Sequence, residues 1–182
     1  MSELTVASRY AKSLIDLAEE QNVLEEVNND MVFFLKTLKE NPQLNAVLGN
    51  PIISHLKKLN ILTDIFEGKV NKLSIAFFKL MINKGRGEVL YTTAHELINL
   101  YDVKKHITKA TVTSATPLSE ANQQKMLDEV KAAVGGTVIL EAKTDPALIG
   151  GFVLTVGDRQ IDTSIASSLK KLKKDFANSI VQ

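Results

Sequence analysis

The chain has 182 residues, 45% apolar and 24% charged, an average globular composition that argues against disorder and low complexity. Lys and Arg number 22 against 21 Asp and Glu, giving a net charge of +1, and neither side of residue 105 holds an appreciable excess. A general phosphate-backbone binder is therefore disfavoured, and the absence of Cys removes disulfides, thiol nucleophiles and Cys-ligated zinc.

In the first part, apolar residues recur at spacings of three and four. Ala7, Tyr10, Ala11, Leu14, Leu17 and Ala18 form one stripe; Leu24, Val27, Met31, Phe34, Leu35 and Leu38 form a second. Leu44, Val47 and Leu48 make a short third, and Leu59, Leu62, Ile65 and Phe66 a fourth. Leu73, Ala76, Phe77, Leu80 and Met81 follow, then Leu90, Ala94, Leu97, Ile98 and Tyr101. About six amphipathic helices are predicted, broken at Asn41-Pro42, Asn50-Pro51, Glu67-Gly68 and Lys84-Gly85-Arg86-Gly87, the pattern of an antiparallel bundle.

After His106 the period changes to two. Residues 109–115 alternate with Ala110, Val112 and Ser114 on one face. Ser119 is a natural N-cap for a helix with the stripe Met126, Leu127, Val130 and Val134, closed by Gly135-Gly136. Strands are expected at 137–143, 151–156 and around Ile161. A final helix, capped by Asp162 or Ser164, carries the stripe Ile165, Leu169, Leu172 and Phe176. The expected fold is α+β: an N-terminal six-helix bundle over 1–105 and a small α/β domain over 106–182. The second part is near the lower size limit for an independent core, so it is expected to lean on a partner.

No constellation points to catalysis. His95-Glu96 lacks the second zinc ligand, because Asn99 stands where a His is needed. His55 and His106 stand alone near predicted element ends, and no Gly-x-Ser-x-Gly elbow is present to place a serine. Gly85-Arg86-Gly87 follows a helix and Gly150-Gly151 precedes a strand, whereas phosphate cradles follow a strand and open a helix. Asp145, Asp158 and Asp162 fall in turns, where turn and cap chemistry explains each one more simply than a metal or acid–base cluster. Lys170, Lys171, Lys173 and Lys174 suit the solvent side of a helix near its C-terminus better than a nucleic-acid patch. No cofactor and no metal site is expected. The rival readings are a small hydrolase or transferase using Asp145, Asp158 or a His, and a basic-helix nucleic-acid module.

The longest apolar run, residues 75–82, is cut by Lys79 and too short to span a bilayer. The start, MSELTVASRYAKS, lacks the basic n-region and apolar core of a signal peptide. Both features predict a soluble protein of the cytoplasm that meets a membrane only through a partner. The run 75–82 is apolar almost all round, so its helix is either central or has a second face for something else. Small Ala7, Ala11 and Ala18 beside Tyr10, Leu14 and Leu17 would shape a shallow groove; burial in the core is the favoured reading of these faces, and a groove for a partner's amphipathic helix is the alternative.

The start Val6-Ala7-Ser8-Arg9-Tyr10-Ala11-Lys12-Ser13-Leu14, followed by Leu17-Ala18-Glu19-Glu20-Gln21, resembles the opening of the delta subunit family of F-type ATP synthases. The mitochondrial counterpart is the oligomycin-sensitivity-conferring protein. The run from Asp145-Pro146 through Gly150-Gly151, Gly157 and Asp162 to Ser164 and Ile165 is similar to that family's C-terminal signature. Thr113-Ser114-Ala115-Thr116-Pro117-Leu118-Ser119 is similar to its interdomain segment, so the resemblance spans nearly the whole chain. Thr163 departs from it, standing where Gly is common. The resemblance implies a non-catalytic stator part. The N-terminal bundle would bind N-terminal helices of alpha subunits on the catalytic head, which holds alpha and beta subunits. The C-terminal domain would bind the b subunits of the peripheral stalk. By position, the groove of the first and fifth helices would be lined by Tyr10, Ala11, Leu14, Ile75 and Phe78. The implied form is bacterial, held peripherally on the cytoplasmic side of the cell membrane.

Overall fold

The computed structural model describes residues 2–157 and 159–179, the last five of these by backbone alone. The chain divides into two compact units, Met1–Asp102 and Val103–Gln182. The expected architecture is the one observed: a helical N-terminal region followed by a small α/β portion.

In the first unit the six stripes become α1 (Glu3–Glu20), α2 (Leu24–Glu40), α3 (Pro42–Gly49), α4 (His55–Phe66), α5 (Lys72–Asn83) and α6 (Leu90–Lys104). A 3-10 turn, Gly87–Val89, leads into α6. Local chemistry sets the ends. Ser2 accepts from the Thr5 amide to start α1, Pro42 occupies the first turn of α3, and Asn71 accepts from the Leu73 amide to start α5. Asn22 and Gly68 take left-handed φ values of 55° and 77° in the breaks. The stripes close one core, whose centre is aromatic. Phe34 and Phe78 lie 4.7 Å apart, and Phe66 sits 5.5 Å from Phe34 and 5.7 Å from Phe78.

Two buried charges fix helix positions within this unit. Asp30 on α2 accepts from the Asn71 amide at 2.8 Å and from the Ser74 hydroxyl at 2.6 Å, which ties the start of α5 to α2. The anion sits at the positive end of the α5 dipole, where it is stabilised. Lys58 on α4 donates to the Leu48 carbonyl at 2.7 Å, placing a cation at the negative C-terminal end of α3.

The second unit holds β1 (Ile107–Ser114), α7 (Glu120–Val134), β2 (Thr137–Thr144), β3 (Phe152–Val156), β4 (Arg159–Asp162) and α8 (Ile165–Ser179). The sheet order is β2-β1-β3-β4. β1 pairs parallel with β2 across α7, while β1–β3 and β3–β4 are antiparallel. Ser119 accepts from the Asn122 amide to cap α7, and Gly135, at φ 75°, ends it. Ala110, Val112 and Ser114 are buried on one face of β1, as the alternation requires. Ala110, Val130 and Val138, with Leu140, Leu154 and Val156 against them, make a small core.

The α7 stripe is covered except at its last residue, and the α8 stripe is only half covered. Val134 on α7 is 48% exposed, and on α8 Ile165, Leu169 and Leu172 are 47%, 52% and 54% exposed. Period alone marks a face as apolar but cannot supply a surface to cover it; here the small core uses α7 and the sheet. Phe176 of that stripe, and Asp158, lie outside the described side chains.

Candidate partner-binding groove

An apolar groove of about 280 Å³ runs between α1 and α5, lined by Tyr10, Ser13, Leu14, Leu17, Leu73, Ala76, Phe77 and Leu80. The two walls are the outward edges of two core stripes. On α1, Ala7, Ala11 and Ala18 turn inward and are fully buried, which brings the backbone close to the core. Leu14 makes the floor at 3% exposure, and Leu17 remains 40% exposed on the rim. On α5, Phe77 sits on the floor with its ring 6.4 Å from Tyr10 in an edge-on contact, while Leu80 stays 45% exposed.

Of the five residues expected in the groove, the structure brings Tyr10 and Leu14 to it. Ala11 lies beneath, fully buried in the core. Ile75 packs against the core cluster from another side of α5, and Phe78 is a centrepiece of the aromatic core at 1% exposure, so neither lines the groove. The physical reason is helix phase. Successive residues are about 100° apart, and a segment apolar on nearly every side gives no polar edge from which to set that angle. Leu73, Ala76, Phe77 and Leu80 occupy the groove wall instead; all four stood in the predicted α5 stripe, so the residues were visible but not their orientation.

Beyond the C-terminal end of α5, a second cleft of about 240 Å³ adjoins the groove and shares Tyr10 and Ser13 with it. Val6, Arg9 and Arg86 complete its lining. The Arg86 guanidinium lies over the Tyr10 ring, 5.3 Å from its centroid. No spacing pattern could reveal this pair, because the two residues are distant in sequence and meet only through the packing of α1 against the turn that follows α5.

In the second unit, the signature residues form a corner between β3, β4 and α8. The Asp145 carboxylate accepts from the Ala147 amide at 2.9 Å, and Pro146 begins the 3-10 turn Pro146–Leu148. Gly151 has φ +74°, and a Cβ there would lie 2.4 Å from the Thr163 carbonyl oxygen and 3.1 Å from Ser164 Cα. Gly150 faces Ile165, whose Cδ1 would be 2.6 Å from an added Cβ. Gly157 takes φ +60° at the β3–β4 turn. Ser164, 1% exposed, accepts from the Ser167 amide at 3.2 Å and so caps α8. Asp162 accepts from the Ser167 hydroxyl at 2.6 Å and the Ser164 amide at 2.8 Å. Those bonds, with Ser167 contributing most and Ser164 next, hold the Asp162 carboxyl below its ordinary pKa. Asp145 and Asp162 are thus both occupied as backbone caps. Lys170, Lys171, Lys173 and Lys174 are exposed along α8. Among the described residues no helix is long and apolar enough to cross a membrane.

The family model described as "ATP synthase delta (OSCP) subunit" matches residues 6–176. The ATP synthase subunit delta of Cytophaga hutchinsonii is 39% identical over 181 residues, covering 100% of this chain and 99% of the relative. The chloroplastic ATP synthase subunit delta of Ochrosphaera neapolitana is 35% identical, covering 94% of this chain and 97% of its own length. The fold is similar to that of a chain in the Toxoplasma gondii mitochondrial ATP synthase hexamer, with a TM-score of 0.74 at 22% identity over 94% of this chain and 97% of that one. A likeness that covers both units and runs the full length of its relatives leaves one conclusion: the chain belongs to the ATP synthase delta (OSCP) subunit family.

Proposed function

We propose that this chain is a stator subunit of an F-type ATP synthase, the adaptor that joins the catalytic head to the peripheral stalk. The N-terminal unit takes an N-terminal helix of an alpha subunit in the α1–α5 groove, on a head built of alpha and beta subunits. The C-terminal unit takes the end of the b subunits. Held in this way, the head cannot turn with the rotor, and proton translocation is coupled to ATP synthesis. The subunit itself is non-catalytic, and it sits peripherally on the cytoplasmic side of the cell membrane through the complex.

The observation that carries this reading is the groove. Its lining is almost wholly apolar, its rim leucines are about half exposed, and its floor is rigid core, which suits an amphipathic helix presenting residues at helical spacing. The half-exposed Ile165, Leu169 and Leu172 stripe supports a second contact on the other unit, since a contiguous apolar helix face only partly covered marks an interaction surface. Purification of the tagged full-length chain from native membranes tests the assignment. Recovery of alpha, beta and b subunits is expected. Recovery of the head subunits from a Leu169→Asp, Leu172→Asp variant, with loss of b, would separate the two contacts. Recovery of none with the unmodified chain overturns the proposal.

A further inference from the structure

The corner between β3 and α8 holds a residue whose conformation the fold of this unit does not explain. Ile149 follows the Pro146–Leu148 turn with φ 66° and ψ −41°, and it is 65% exposed. A positive φ sets the branched Cβ of an isoleucine against its own backbone, a conformation that glycine adopts freely. The side chain therefore meets strain and water together, a combination that marks a surface built for contact rather than for folding. The first turn of α8 is beside it. Ile165 donates its amide to the Gly150 carbonyl at 3.0 Å, and a Cβ on Gly150 would lie 2.6 Å from Ile165 Cδ1. Ile149 thus stands at the N-terminal end of the half-exposed stripe of Ile165, Leu169 and Leu172.

The stripe itself states what kind of partner fits. Its spacings of four and three, at about 100° per residue, keep the three side chains within an arc of about 60°, the narrow seam on which one helix packs along another. A helix that lies on a membrane presents a broader apolar face. The sequence of α8 holds Lys170, Lys171, Lys173 and Lys174 against one acidic residue, Asp175, and all four lysines are exposed. Lys173 follows Leu172 on one shoulder of the seam. We propose that Ile149 and the α8 stripe form one seat for an amphipathic helix whose apolar seam is flanked by carboxylates, with Ile149 closing the end of the seat. The seam supplies affinity, and the lysines steer the approach and exclude basic helices. The proposal rests on the second contact of the stator reading and adds to it Ile149 and the charge that the partner carries.

The test uses the full chain and designed helical peptides that share one leucine seam at spacings of three and four, with Glu, Gln or Lys along its shoulders. Fluorescence anisotropy is read at low salt and at physiological salt, and thermal unfolding by circular dichroism is recorded for each variant. The Glu peptide is expected to bind the unmodified chain about tenfold more tightly than the Gln peptide, and the Lys peptide least, with differences that shrink as salt rises. Ile149→Gly removes both the apolar side chain and the strain, so it should weaken the Glu peptide about fivefold while the unfolding midpoint holds or rises. Ile149→Leu, which keeps the apolar contact, should keep the affinity. Equal affinity for the three peptides, no binding of the Glu peptide, or tighter binding to vesicles of anionic lipid than to that peptide overturns the acidic-helix partner. Unchanged peptide affinity in Ile149→Gly, or a lowered midpoint, returns Ile149 to a purely local role and overturns its place in the seat. Recovery of b subunits from native membranes by the unmodified chain is read separately, so each of these results can fail while the stator reading stands.

Discussion

Phe78 and Leu80 are two residues apart on α5, and the structure gives them opposite roles, so truncating each separates core from groove. Phe78 is 1% exposed, with Phe34 at 4.7 Å and Phe66 at 5.7 Å. Phe78→Ala removes a whole ring from a close-packed centre, at a cost of about 3–5 kcal/mol in transfer and cavity terms. That is a large share of the roughly 5–15 kcal/mol that holds a domain folded. Leu80 is 45% exposed. Fully burying a Leu side chain is worth about 1.5–3 kcal/mol, so Leu80→Ala should cost only about 1 kcal/mol of folding stability. If a helix docks as proposed, the exposed remainder of the side chain becomes buried, so the same variant should lose about 0.7–1.4 kcal/mol of binding, roughly threefold to tenfold in affinity. Urea denaturation followed by far-ultraviolet circular dichroism measures the first quantity, and anisotropy with an alpha-subunit N-terminal peptide measures the second. The expected pattern is a double dissociation. It is refuted if Leu80→Ala destabilises the fold as much as Phe78→Ala does. It is refuted equally if Phe78→Ala, studied below its unfolding transition, weakens the peptide more than Leu80→Ala does.

Gly151→Val should disrupt the corner of β3, β4 and α8, because it combines a left-handed φ with a Cβ 2.4 Å from the Thr163 carbonyl oxygen. The left-handed term alone costs about 1–2 kcal/mol. In amide NMR spectra of the full chain, resonances of residues 107–179 should move or broaden while those of the helical unit keep their positions; an unperturbed C-terminal set refutes it. Lys58→Ala removes a buried ammonium from the Leu48 carbonyl and should cost about 1.5–3 kcal/mol, read as a drop in the unfolding midpoint. An unchanged midpoint would mean that water replaces the cation without loss. Asp162 has a folded pKa below its ordinary 3.8, so its contribution is present above that value and is lost as pH falls through the folded pKa. Asp162→Asn should therefore lower the thermal midpoint at neutral pH, with the gap to the unmodified chain closing only in strong acid; a gap independent of pH refutes the charged-cap role.

Much of this protein was legible without coordinates. The switch in apolar period after His106 marks the change from helices to strands, because a helix must bury every third or fourth residue and a half-covered strand every second. Pro42, Gly68, Ser119 and Gly135 stand at element boundaries because their backbone chemistry favours breaks and caps whatever surrounds them. Gly150-Gly151 is visible in the sequence as a pair before a strand, and the structure shows why glycine stands at 151: a carbonyl oxygen occupies the space of a Cβ.

Tertiary packing decided the rest. An α5 that is apolar almost all round carries no internal signal of which side faces the core; that angle is set by contact with Phe34 and Phe66, and by Asp30 capping its first turn from α2. Phe78 therefore went to the centre, while Phe77 and Leu80 went to the groove. The stacking of Arg86 on Tyr10 joins two segments far apart in the chain and leaves no periodic trace in either. The half-exposed stripe on α8 has the same origin. A sequence states that Ile165, Leu169 and Leu172 share a face, but only the three-dimensional arrangement of the other elements determines whether anything covers it.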